Sequence, residues 1–108
     1  MIKATIFSDS QGDTVGFRVF GHAGFAEHGS DIVCAAVSVL VINTVNAVER
    51  FTEAELKVTE NEEEGFLEGL LESSDSGEAK LLLNTLRLGL ESIQTEFTEY
   101  LQLSFKEV

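Results

Sequence analysis

Residues 32–42 read IVCAAVSVLVI, eleven positions without a charge and with Ser38 as the single polar side chain. The apolar character persists through Val45 and Val48. The run is too short to span a bilayer and fits a buried core helix. Its β-branched content would also suit a strand. Three features favour a helix from Ser30–Asp31 to about Arg50: its length, the cap-forming Asp31 before it, and a later polar stripe of Asn43 and Asn46. A helix apolar nearly all round belongs inside a domain or in a subunit interface.

The flanking sequence supplies partners for that helix. In residues 2–8, Ile2, Ala4 and Ile6 share one face of a strand. In residues 14–21, Val15, Phe17 and Val19 alternate with Gly16, Arg18 and Phe20. The intervening SDSQGDT is a turn, with Gly12 available for a positive φ. Residues 55–60 and 66–71 read as a second hairpin around the acidic turn ENEEEG. A second helix opens near SSDSGEAK, with Asp75 and Glu78 in capping-box spacing. Ala79, Leu82, Leu83, Leu86, Leu90, Ile93 and Phe97 line its core face. Leu101, Leu103 and Phe105 alternate as a last strand. The order ββαββαβ implies an α+β fold, a mostly antiparallel sheet with two helices. All 108 residues form one expected domain.

Charge and cysteine usage narrow the function. The formal net charge is −12, which a nucleic-acid backbone would repel and a basic partner would find attractive. A single Cys excludes an internal disulfide and suggests a reducing compartment. The N-terminal MIKATIFSDS has neither the basic lead nor the apolar core of a secretory signal, so a cytoplasmic location is expected.

The chemistry concentrates in GHAGFAEHGSDIVCAAVS, residues 21–38. With Asp31 as N-cap, Cys34 falls in the first helical turn, and its side chain tilts toward the unpaired N–H groups there. Those groups and the helix dipole favour a thiolate, whereas the Asp31 carboxylate opposes it. His22, at the end of the second strand, is a possible cation and base for the thiol. Gly21, Gly24 and Gly29 suit a loop that turns tightly and covers an extended substrate. On residues alone three readings stand: a Cys–His pair, a buried core Cys, and a zinc site from His22, His28 and Cys34. The zinc spacing matches no common short pattern, and no cofactor is expected.

The same stretch resembles the signature of the Prp family, the ribosomal-processing cysteine proteases of bacteria. Gly21, His22, Gly29, Asp31, Ile32, Val33, Cys34, Ala35 and Ser38 occupy the positions of that pattern. Asn46 and Ala47, the EAKLLLNTL helix and the TEFTEYLQLSF end are also similar. The resemblance implies a cytoplasmic endopeptidase with His22 as general base and Cys34 as nucleophile. It implies removal of an N-terminal extension from large-subunit ribosomal protein twenty-seven, cleavage in an apolar, Phe-containing stretch, and a homodimer. Asp31 and Ser38 carry over as motif positions. Asp31 caps the helix or orients His22; Ser38 lies one turn past Cys34. The loop between Gly21 and Gly29 varies in the family, so His28 inherits no role and is read as a loop residue. The alternative is a non-enzymatic acidic dimer that binds a basic ribosomal protein as an assembly factor. Neither reading involves a membrane or direct nucleic-acid contact.

Overall fold

The structure is a computed structural model that describes residues 1–21, 28–73 and 76–108, with side chains of the first helix from residue 32 onward. Strands β1 (Ile2–Ser8) and β2 (Thr14–Phe20) form the expected antiparallel hairpin. The Asp9 carboxylate organises its turn, accepting from the backbone N–H groups of Gln11 at 2.9 Å and Asp13 at 3.0 Å. Gly12 takes φ +84°, the left-handed conformation that the turn requires.

Helix α1 (His28–Phe51) leads to β3 (Leu56–Asn61) and β4 (Phe66–Leu71); helix α2 (Gly77–Glu96) leads to β5 (Leu101–Glu107). The single sheet has the order β3-β4-β2-β1-β5, antiparallel except for the β1–β5 pair. The α+β class, the mostly antiparallel sheet and the ββαββαβ order are those expected from the sequence. Each helix carries the chain between two strands of the same direction, the connection that parallel strands need.

Alternation sends one face of the sheet to the helices. Ile2, Ala4 and Ile6 of β1, Phe17 and Val19 of β2, Leu67 of β4 and Leu101 of β5 are buried there. They meet Val33, Val37 and Val41 of α1 and Leu83, Leu86 and Leu90 of α2. Side-chain amides pin α2 to strand backbone: Asn84 Oδ1 accepts from the Thr14 N–H at 2.9 Å, and Gln94 Oε1 accepts from the Leu103 N–H. Lys80 adds an ion pair to Asp9 at 2.9 Å, joining α2 to the β1–β2 turn. On the open face, Arg18 bonds Glu68 at 2.7 Å and its guanidinium lies 5.3 Å from the centre of the Phe7 ring.

Helix starts differ from the sequence reading. Helix α1 begins at His28, so Asp31 is its fourth residue and not its cap. Ser30 and Asp31 are cap-forming types, but an acidic residue is equally stable inside the first turn, beside unbonded N–H groups and the positive dipole end. In α2 the cap is Ser76, with extended φ/ψ of −89° and 104°, whose hydroxyl accepts from the Ala79 N–H at 3.1 Å. The expected Asp75–Glu78 box is displaced by one residue, and its third position after the cap is Ala79, which has nothing to return. Asp75 lies outside the described residues.

The apolar helix α1 serves two surfaces. Val33, Val37, Val41 and Val48 are buried in the domain. Ile32, Val39 and Ile42 are 60%, 67% and 53% exposed. By length and composition alone Ile32–Phe51 could cross a membrane, beyond the eleven-residue run judged too short. Its buried valine stripe packs on the sheet, the behaviour of a core helix.

Candidate active site

Cys34 is the seventh residue of α1 and is half-buried, packed against the core cluster. The expectation that it lies in the first turn is therefore corrected: it stands in the second. The four unpaired N–H groups belong to residues 28–31, and the dipole effect fades beyond the first turn. Side chains tilt toward the N-terminus, so the sulfur leans back toward those groups without being among them.

Strand β2 ends beside this part of α1. Val19, two residues before Gly21, and Val37, three residues after Cys34, line one cleft. Gly21 turns the chain with φ +87°, and its N–H donates to the Gly65 carbonyl at 3.0 Å. A Cβ there would stand 3.1 Å from the Met1 carbonyl oxygen. The glycine of the Gly-His pair is thus a conformational requirement, fixed at both neighbours. His22 follows immediately and lies outside the described residues, as do the side chains of residues 28–31, including Asp31.

Ser38 is half-buried one turn beyond Cys34 and lines the same cleft as Val37. Gly29, read as a loop glycine, and His28, read as a loop residue, instead form the first turn of α1. Among the described residues there is no group of three metal-ligating side chains. Sequence reasoning missed Glu60, whose strand register pairs it with the buried Leu67. It therefore occupies a helix-facing position on an edge strand. Alternation of Leu56, Val58 and Glu60 carried that signal: a charge in an inward register position. Inward charges also discourage edge-to-edge pairing.

The family model for cysteine protease Prp matches residues 1–102. The chain belongs to the Prp family of cysteine proteases. A relative in Bacillus subtilis strain 168, the ribosomal processing cysteine protease Prp, is 32% identical over 108 residues, covering 96% of each chain. The crystal structure of the essential ribosomal processing protease Prp from S. aureus with a substrate peptide matches with a TM-score of 0.93. It is 28% identical and covers 98% of this chain and 100% of that one. The same S. aureus protease with a covalently linked product peptide matches with a TM-score of 0.89 at 29% identity, with the same coverage. The chain is a cysteine peptidase of this family. That sets aside the non-enzymatic assembly factor.

Proposed function

We propose that this chain removes the N-terminal extension of large-subunit ribosomal protein twenty-seven in the cytoplasm, with Cys34 as nucleophile and His22 as general base. The observation that carries the assignment is the covalently linked product peptide of the S. aureus relative. Covalent catalysis by a cysteine protease needs a thiol, and Cys34 is the single Cys of this chain. In the first step the Cys34 sulfur attacks the scissile carbonyl carbon, while His22 takes the thiol proton and delivers it to the departing amine. Water, deprotonated by His22, then hydrolyses the thioester and releases the carboxylate. Gly21 sets where His22 begins. Asp31, not the cap, is left with orienting His22, and Ser38 borders the reacting centre. The net charge of −12 attracts basic ribosomal proteins.

Acid-quenched mass spectrometry during turnover of the extended ribosomal protein tests this. An acyl adduct on the Cys34 peptide is expected, with His22→Ala slowing its formation by roughly 10²–10⁴-fold. An adduct on another residue, or an uncut partner, overturns the assignment.

The same reading includes a homodimer, and the outer face of α1 supports it. Ile32, Val39 and Asn46 recur every seven residues, and Ala35 and Ile42 do the same between them. This is a two-heptad apolar seam, exposed along its length and closed by one Asn of the kind that fixes register. Such a stripe is self-complementary about a two-fold axis.

A further inference from the structure

Both helices pack on one face of the sheet, and the register fixes what the other face carries. Ile2, Ala4 and Ile6 enter the core, so Lys3, Thr5 and Phe7 of β1 point the opposite way. The pairings carry that choice across all five strands. Lys57 of β3 and Lys106 of β5 end one row across the sheet, through Leu70, Gly16 and Phe7. The next row holds Glu68, Arg18, Thr5 and Ser104 side by side. In the third, Lys3 pairs with Phe20, whose ring meets that of Phe66 edge-on at 6.4 Å between centres.

This face therefore holds Lys3, Arg18, Lys57 and Lys106, four of the chain's seven Lys and Arg residues. Glu68 is the one carboxylate at its strand positions, and it is already bonded to Arg18 at 2.7 Å. The net charge of −12 that speaks against nucleic acid is a sum over the whole chain, and on this face the sign is reversed. Lysines on edge strands also discourage sheet-to-sheet pairing. That accounts for Lys57 and Lys106 but not for Lys3 and Arg18, which stand on the inner strands β1 and β2.

The cations are interleaved with flat groups. Phe20 is 45% exposed. The Arg18 guanidinium lies over the buried Phe7 ring and is held at its edge by Glu68, so its outer plane is presented to solvent. Phe20 and Arg18 are two residues apart on β2, about 7 Å, room for two bases splayed out of their own stack. Sheet faces that read single-stranded RNA combine these parts, with bases on aromatic rings or guanidinium planes and phosphates on cations. Protein partners select against such a surface, because lysine is depleted at protein interfaces. The hydroxyls of Thr5 and Ser104, 3.1 Å apart beside Arg18, can meet a ribose 2′-hydroxyl, the group that separates RNA from DNA.

We propose that the open face of the sheet binds a segment of single-stranded RNA, with bases stacked on Phe20 and Arg18 and phosphates on Lys3, Lys57 and Lys106. The remaining surface stays acidic, so the same chain can hold RNA on one side and attract a basic polypeptide on the other. The peptidase assignment is not needed for this binding, and the two can fail separately.

The test uses the full chain and a fluorescein-labelled RNA of ten uridines, followed by anisotropy against salt. The expected Kd is about 10⁻⁴ M at physiological salt, the weak end for non-specific complexes because the rest of the chain repels RNA. Three phosphate contacts give a slope of about −2 in log affinity against log salt, hence about tenfold tighter binding at 50 mM. Replacing Lys3, Lys57 and Lys106 together with Gln, all exposed positions, should abolish binding and the slope. Phe20→Ala should weaken binding about tenfold and leave the slope unchanged, the signature of a lost stack. The Phe20 and Phe66 ring signals should shift in NMR on addition of RNA. No binding at 50 mM salt, ring signals that stay in place, or unchanged affinity in the triple Gln variant overturns the proposal. A peptide of ten glutamates that binds as tightly as RNA, with no loss in Phe20→Ala, overturns it in favour of an acidic protein segment. Equal affinity for ten deoxyuridines overturns the choice of RNA.

Discussion

Replacing Gly21 with Ala joins the fold to the site in one experiment. Gly21 sits at φ +87°, and an added Cβ would lie 3.1 Å from the Met1 carbonyl oxygen, closer than ordinary contact. Gly12 is the internal comparison. It has nearly the same φ, +84°, but an added Cβ meets nothing within 4 Å. The left-handed conformation costs an L-residue about 1–2 kcal/mol, and the alanine chain recovers some of this through a less disordered unfolded state. Gly12→Ala should therefore lose about 1 kcal/mol. Gly21→Ala adds the crowding against Met1 and should lose about 2 kcal/mol, or about 8 °C in Tm for a domain of this size. Alternatively the chain escapes the strain by leaving the positive-φ region, which redirects residue 22. A displacement of about 1 Å at a catalytic group costs roughly 100-fold in rate. Urea unfolding and kcat/KM measured on both variants decide the matter. The expected pattern for Gly21→Ala is a larger stability loss than for Gly12→Ala where the strain is retained, or an activity loss of about 100-fold where the chain escapes it, with activity unchanged for Gly12→Ala. Equal behaviour of the two variants in both assays would refute the reasoning.

Three further outcomes are expected. The Thr14 hydroxyl is buried with no hydrogen-bond partner among the described residues, so Thr14→Val should raise the urea midpoint by the equivalent of about 1 kcal/mol; a loss of stability would show that the hydroxyl is satisfied. Lys80 holds the Asp9 carboxyl below its ordinary value of 3.8, with the turn N–H groups of Asp13 and Gln11 acting in the same direction and desolvation opposing them. Its stabilising contribution is present above pH 3.8 and is lost as pH falls through the lower folded value. Asp9→Asn should therefore destabilise the protein at neutral pH, with the difference closing on the acid side of that window; a difference that persists there contradicts the linkage. Val39→Asp places a charge at the centre of the exposed α1 seam and should shift sedimentation to the monomer without unfolding the chain, whereas an unchanged dimer would move the interface elsewhere.

The parts of the fold that read directly from sequence are those governed by local periodicity. Alternation in residues 2–8 and 14–20 fixed which side chains enter the core, and helical spacing picked out Ala79, Leu83, Leu86 and Leu90. Helix starts were harder, because Ser30, Asp31, Asp75 and Ser76 are all competent caps, and only backbone geometry decides which neighbour is extended. Strand order was not legible either. A crossover through α2 leaves open which strand β5 joins, and its pairing with β1 depends on burying Leu101 and Leu103 beside Ile2 and Ala4. At the site, the Cys34 motif was visible as chemistry, yet the helix-dipole argument for it weakened once α1 started at His28. The specific demand for glycine at position 21 was hidden, since it comes from Met1 and Gly65, residues distant in sequence. The same holds for the cleft, whose walls come from β2, α1, β3 and β4.

The most direct measurement is the intact mass of the extended ribosomal protein twenty-seven after incubation with this protein and with its Cys34→Ala variant, both confirmed folded by circular dichroism. The account predicts a partner shortened by its N-terminal extension with the unaltered protein and full-length with Cys34→Ala. A partner shortened equally by both proteins would contradict it.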